Sequence, residues 1–245
     1  MPLKLRAGSN SSTLKLINAN NAGRMTMRVN PTIVTNGLTM YLDAGNSTSY
    51  NGSGTTWYDI SGNTADITLV NSPTYTSGTP SYFSFNGSNQ SGTGSKTNVI
   101  PPTAYTKIIW AYLSSYTDNN LLSSEAGGHF MFFGGTNKLY SGHTSWAGWP
   151  LNYSSTNTFS LNTWYNIALT FSTTNGMTLY INNVLDSTYT TIKTAHTGNG
   201  STNIAKFGAG NFLNGRVGQA FCYNRELTST EITQNYNYTK ATYGL

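Results

Sequence analysis

At 245 residues, with 13 basic against eight acidic side chains and only 9% charged residues, the chain suits one β domain plus an appendage. Aromatics at 13%, with 25 glycines and 17 tyrosines among abundant Ser, Thr and Asn, exclude a disordered chain and favour strands and turns over helices. The single cysteine, Cys222, excludes an intrachain disulfide, and no apolar run approaches the ~18 residues of a membrane span.

The charge is unevenly placed. Residues 1–35 hold Lys4, Arg6, Lys15, Arg24 and Arg28 and no acid, while the remaining eight basic side chains balance the eight acids. The segment therefore reads as a basic N-terminal arm, separate from a neutral domain over residues 36–245. Leu14–Ile17 and Met25–Val29 alternate as short strands, and Asn30-Pro31 breaks the pattern. Such an arm is too small for its own core. It is expected to pair with this domain's own sheet edge, with a second copy of the chain or with a partner protein, and its charges are too sparse for nucleic acid. Met1-Pro-Leu-Lys-Leu-Arg6 lacks the apolar stretch of a signal peptide, so synthesis in a cytoplasm is expected.

From Gly37 the chain reads as a succession of strands. Leu38, Met40 and Leu42 alternate with polar neighbours and end at Asp43-Ala-Gly-Asn46. Trp57-Tyr-Asp-Ile-Ser-Gly-Asn63 is a compact turn, followed by strands over 66–70 and 82–86. Residues 88–97 have loop composition. Thr106–Leu113 is nearly continuous in apolar residues, which predicts a central strand. Short strands follow over 118–124, 129–133 and 138–141. Trp164–Phe171, Ser172–Gly176 and Met177–Asn182 form a β-hairpin, with Tyr165, Ile167, Leu169 and Phe171 on one face. Strands over 203–207 and 216–223 complete the series. One helix is expected over 228–238, where Thr228 and Glu231 have the spacing of a capping box and Ile232 and Tyr236 make a docking stripe. About a dozen strands and one short helix imply an all-β fold: two antiparallel sheets packed as a jelly-roll sandwich.

Several stretches resemble one family. Trp57–Asn63, Leu69-Val-Asn-Ser-Pro73, Phe83-Ser-Phe-Asn-Gly87, the Trp164–Asn183 hairpin and Asn214–Ile232 are similar, in order, to a laminin-G-like, concanavalin-A-like domain over about residues 37–240. Gly37–Asn46 followed by the Trp57 turn resembles the variant found in structural proteins of tailed bacteriophages. The resemblance implies a jelly roll that binds glycans or proteins at loop ends, sometimes with calcium. It further implies a virion component of head or tail, with other virion proteins as partners through the arm and host-surface glycans as ligands.

Concanavalin-A-like folds also include glycosidases, which place catalytic acids two residues apart on one strand. No pair among the eight acids has that spacing, so no catalytic residue is expected and the protein reads as a non-enzyme. A free carbohydrate-binding lectin module is the alternative. His129, His143 and His196 lack the spacing of a zinc site. Asp43 beside Gly45-Asn46, and Asp59 beside Ser61 and Asn63, are candidate calcium ligands, but both read better as turns. Cys222 reads as a buried thiol. The candidate binding residues are His143, Trp146, Trp149 and Tyr153, in a 141–153 stretch of loop composition whose rings could stack on sugars or anchor a partner.

Overall fold

The computed structural model describes residues 32–124, 128–143, 153–196 and 202–245. In chain order the strands are β1 Leu38–Asp43, β2 Thr56–Trp57, β3 Ile67–Val70, β4 Thr74–Thr76, β5 Tyr82–Asn86 and β6 Ser91–Gly94. Then come β7 Ala104–Leu113, β8 Asp118–Asn120, β9 Leu122–Ser124, β10 His129–Gly134, β11 Leu139–His143 and β12 Tyr153–Ser154. The last five are β13 Trp164–Ser172, β14 Gly176–Ile181, β15 Val184–Tyr189, β16 Thr202–Ile204 and β17 Asn214–Tyr223, followed by helix α1 at Ser229–Thr239.

One layer has the order β15-β14-β13-β7-β17-β5-β4. β17 pairs with β5 through Asn214–Val217 and with β1 through Gln219–Tyr223, on the same edge, and β7 lies on the other edge throughout. β7 is thus central, as its near-continuous apolar run predicts. The second layer joins β2-β3-β6-β16-β9 to β12-β11-β10-β8. The join is Leu121, whose N–H donates to Met131 O and whose carbonyl accepts from Ala205 N–H, both at 2.9 Å. All strand pairings are antiparallel, and the fold is the expected all-β sandwich with one short C-terminal helix.

The interior is built by alternation. Tyr105, Ile109, Ala111 and Leu113 of β7, with Ile167, Leu169 and Phe171 of β13, face the second layer and join one core cluster. The opposite face of the hairpin is also covered. Ala168 packs with Ile108, Phe221 and Tyr223 under Leu227 and Ile232. The hairpin is therefore buried on two sides, because α1 lies on the outer surface of its sheet. The Thr228 side chain accepts from Glu231 N–H, and Glu231 accepts from the Thr228 backbone, so the capping box forms as expected. Trp110 stacks on Tyr243 at 3.9 Å and donates to Thr239 Oγ1 at 2.9 Å.

The expected loop at 88–97 contains a strand instead. β6 lies between β3 and β16, where a Cβ at Gly92 would meet Ile67 Cγ2 at 2.5 Å and Ile204 Cβ at 3.2 Å. Glycine is there for close approach, not for a turn. The two-residue turn Asn182-Asn183, with φ of 49° and 67°, leads from β14 into β15. Residues 32–36 run beside α1: Val34 is buried, its N–H donates to Asn235 Oδ1 at 2.9 Å, and Tyr223 Oη donates to its carbonyl at 3.0 Å. The arm residues Lys4, Arg6, Lys15, Arg24 and Arg28 lie outside the described residues.

Candidate functional site

Of the four sequence-predicted binding residues, Trp146 and Trp149 lie outside the described residues. Tyr153 opens β12 half-buried, its ring 4.0 Å from that of Tyr189. His143 is not in a loop. Alternation continues through the end of β11, and its side chain is fully buried between the layers. His143 Nε2 donates to Thr194 O at 2.7 Å, so the other ring nitrogen, Nδ1, accepts from Tyr105 Oη at 3.2 Å.

His143 belongs to a cluster the sequence does not announce. His196 sits 5.8 Å from His143 and 5.9 Å from His129, ring centre to ring centre. Lys107, fully buried, donates to Leu122 O at 3.2 Å, Phe130 O at 3.0 Å and His129 Nδ1 at 3.2 Å. A single ammonium thereby ties β7 to β9 and β10 across the sandwich. Burial draws Lys107 down to about 7 and His143 down to about 4, and holds His129 well below the usual imidazole range. Burial also pushes the Cys222 thiol up, so it is an inert buried group. Period two alone places Lys107 on the inward register between Tyr105 and Ile109, and that signal was available in the sequence. The described bonds of Lys107 run to groups of the interior, those of His143 to Tyr105 and to the backbone of Thr194 at the surface, and no group of three or more metal-ligating side chains occurs among the described residues.

The six acids whose side chains are described are likewise engaged. Asp43 accepts from Gly45 N–H, Tyr41 Oη and Gln219 Nε2. Asp59 accepts from the backbone N–H groups of Tyr41, Ser61 and Ala65. Both match the turn reading of those sequences. Asp66 accepts from Asp59 N–H, Asp186 from Thr156 and Asn157 N–H, Glu226 from Ser172 Oγ and Asn175 Nδ2, and Glu231 from Arg225.

The open site is elsewhere. Where β5 ends beside the start of β17, Asn86, Ser88, Thr117, Asn211, Phe212 and Asn214 line a cleft of about 420 Å³. Phe83, Phe85 and Val217 point into the core, so Asn86 and Asn214, paired across the two strands, face outward. The floor is braced from below. Buried Asn119 accepts from Asn214 N–H at 2.6 Å, Asn120 Nδ2 donates to Asn211 O at 3.1 Å, and Gly87 N–H donates to Leu213 O at 2.8 Å. Asn86 Oδ1 accepts from Ser88 and Asn89 N–H and fixes the rim. No hydrogen bond among the described residues uses the Asn211 or Asn214 amides or the Ser88 hydroxyl. Paired donors and acceptors thus stand open beside the half-buried ring of Phe212. Asn and Ser read as turn formers in the sequence, and only the register of β17 on β5 reveals them as one surface.

The sequence matches the laminin G family model described as Concanavalin A-like lectin/glucanases superfamily over residues 77–233. Among solved structures, the binding domain of botulinum neurotoxin DC in complex with SialylT matches at TM-score 0.65 and 14% identity, covering 83% of this chain and 52% of that one. The binding domain of Paraclostridial mosquitocidal protein 1 matches at 0.65 and 17%, with 82% and 52% covered. A structure of botulinum neurotoxin type C, whose cell entry is described as dependent upon interaction with two ganglioside molecules, matches at 0.65 and 14%, with 82% and 51% covered. The chain spans about half the length of these neighbours. No curated protein matches the chain in sequence. No described helix is long and apolar enough to cross a membrane.

Proposed function

We propose a binding role on the premise that the chain belongs to the concanavalin A-like lectin/glucanases superfamily. The protein holds a carbohydrate in the cleft of Asn86, Ser88, Asn211, Phe212 and Asn214 and performs no chemistry on it. The observation that carries this reading is a set of open amides and a hydroxyl, braced from below, beside one aromatic ring. Sugar hydroxyls need donor and acceptor side by side, which an amide supplies, and the C–H face of a pyranose packs on a ring. Among the described side chains the carboxylates of Asp43, Asp59, Asp66, Asp186, Glu226 and Glu231 are all engaged, which supports the non-catalytic half of the proposal, since a glycosidase needs two free to move protons. Two of the named neighbours are binding domains, one in complex with SialylT, which supports a glycan ligand.

The test is a glycan array followed by titration of any hit. Binding is expected in the micromolar-to-millimolar range usual for one small cleft (on the order of −4 to −8 kcal/mol), and Phe212→Ala and Asn214→Ala lose it. An array blank at high protein concentration sinks the reading, as does a hit that both variants retain. Sugar release from any array glycan would overturn the non-enzyme half.

In this reading the protein is a virion component of head or tail, carried by its basic arm (Lys4, Arg6, Lys15, Arg24 and Arg28) on other virion proteins and turning its cleft to host-surface glycans. The charge division between residues 1–35 and the rest of the chain supports the arm as the attachment, and the phage-like sequence of Gly37–Asn46 supports the setting. Because residues 32–36 dock on α1, the informative truncation begins at residue 32. If residues 32–245 alone still join a particle, the arm is not the anchor. A free lectin is the second reading, favoured by a cleft that lies wholly within the domain. A chain that binds glycan but joins no particle would establish it.

A further inference from the structure

The cleft does not stop at Asn214. Outward positions along β17 alternate, so the next is Arg216, roughly 7 Å further on. Its neighbours across the strands are Ser84 of β5 and Tyr112 of β7, and Trp164 of β13 lies opposite Tyr112. Two rings flank the guanidinium, and a third backs them. Its central carbon lies over Tyr82 at 4.8 Å and over Tyr112 at 4.3 Å. Trp164 joins those two rings, at 5.7 Å from Tyr82 and 5.6 Å from Tyr112.

Such stacking occupies the faces of a guanidinium and leaves its in-plane N–H groups available. None of the five donors is used: Arg216 takes part in no hydrogen bond or ion pair among the described residues. Contrast Arg225, whose guanidinium is held by both Glu231 oxygens. No acid stands among the outward neighbours Tyr82, Ser84, Asn86, Tyr112 and Trp164. The surface thus has a rigid, half-buried cation with open donors next to a cleft of open amides. The ring cage fixes the side chain before a ligand arrives, which lowers the ordering cost of binding.

We propose that Arg216 selects glycans that carry a carboxylate: one sugar seats its hydroxyls against Ser88, Asn211 and Asn214 and its ring against Phe212, and the carboxylate of that sugar or its neighbour sits on the Arg216 fork. A carboxylate matches the spacing of two parallel guanidinium N–H groups, so the contact is bidentate and directional. This rests on the carbohydrate reading of the cleft and names the class of sugar.

The experiment uses the full chain and matched pairs of oligosaccharides: an acidic glycan ending in a sialic or uronic acid, and the same glycan with its carboxyl reduced to the alcohol. A sulfated version of the reduced glycan is the third arm. The acidic glycan is expected to bind about tenfold or more tighter than its reduced partner, since hydrogen bonds to charged groups are the strong ones, and tighter than the sulfated one. In Arg216→Gln the gap closes while affinity for the reduced glycan stays within about twofold. Arg216→Lys keeps the charge without the fork and restores only part of the gap. The proposal is overturned if the native chain binds both partners equally, if the gap survives Arg216→Gln, or if the sulfated glycan binds as well as the carboxylate. Failure of the underlying carbohydrate reading looks different: neither glycan binds, or both bind regardless of Phe212→Ala. Circular dichroism and melting of each variant verify that the sheet is intact.

Discussion

Between the layers, Lys107 directs its donors at Leu122, His129 and Phe130, and His143 is held between Tyr105 and Thr194. On the outer face, the side chains of Asn211, Asn214 and Arg216 make no hydrogen bond or ion pair among the described residues, and Arg216 only stacks on Tyr82 and Tyr112. The first region has the residue types usually associated with chemistry: three imidazoles, an amine, a phenol and a nearby thiol. The second has amides and one guanidinium. Yet the first is buried, and the second is open. Reactive side chains are not a site when, like Lys107 and His143, they are spent on their neighbours in a low-dielectric interior. Bland side chains become one when the backbone beneath them is braced and their polar ends are left free.

Substitutions should separate the two regions, and the deepest should have the largest effect. Lys107→Ala strands two carbonyls and the His129 ring and opens a cavity, so a loss of about 3–5 kcal/mol in denaturant unfolding is expected. Glycan binding by the fraction that remains folded should be unchanged. A Lys107→Ala chain that keeps its stability would show that the amine is no tie between the layers.

Acid is the next probe. His143 titrates at about 4 when folded, against ~6.5 in an unfolded chain. Between those values the unfolded chain takes up a proton that the folded one refuses, so stability falls as pH drops from ~6.5 to about 4 and levels off below. His129, lowered in the same direction, adds to the fall. Lys107, lowered to about 7, acts only above that value, where stability rises with pH. Glu231, held down to about 2 by Arg225, supplies stability that disappears only below ~4.5. Melting temperatures from pH 7 to 4 should therefore fall in the native chain and fall less in His143→Gln. A flat profile would mean the imidazoles are not buried as described.

Smaller effects follow toward the surface. Thr228→Ala removes the hydroxyl that accepts from Glu231 N–H and should cost about 1 kcal/mol, with no change in ligand affinity. Asn214→Ser leaves the backbone bonds to Asn119 and Ser114 in place. It should alter stability by no more than about 0.5 kcal/mol while weakening glycan binding. If its effects are instead chiefly on folding, the cleft is a structural seam.

Much of the scaffold was legible because it obeys period two. β13 and β14 alternate, β7 is a nearly continuous apolar run, and the Thr228–Glu231 spacing marked the helix start within a residue. β6 was not, because Gly92 and Gly94 have turn chemistry in isolation and are required by the side chain of Ile67, which lies far off in sequence. His143 was read as loop because Gly142 and Ser141 beside it are turn formers, though the strand continues through them. The cleft was illegible for a related reason. Asn86 and Asn214 are separated by most of the domain, and only strand pairing unites them. Arg216 looked like one of eight balancing charges until register set it between two tyrosines.

The central claim is the location of the ligand. Amide hydrogen exchange of the full chain, with and without a saturating array-selected glycan, tests it most directly. The account predicts new protection confined to Asn86–Gln90, Thr117 and Asn211–Arg216, with exchange over His129–His143 unaltered. Protection concentrated at residues 141–153, with none at Asn211–Arg216, would contradict it and move the site away from the cleft.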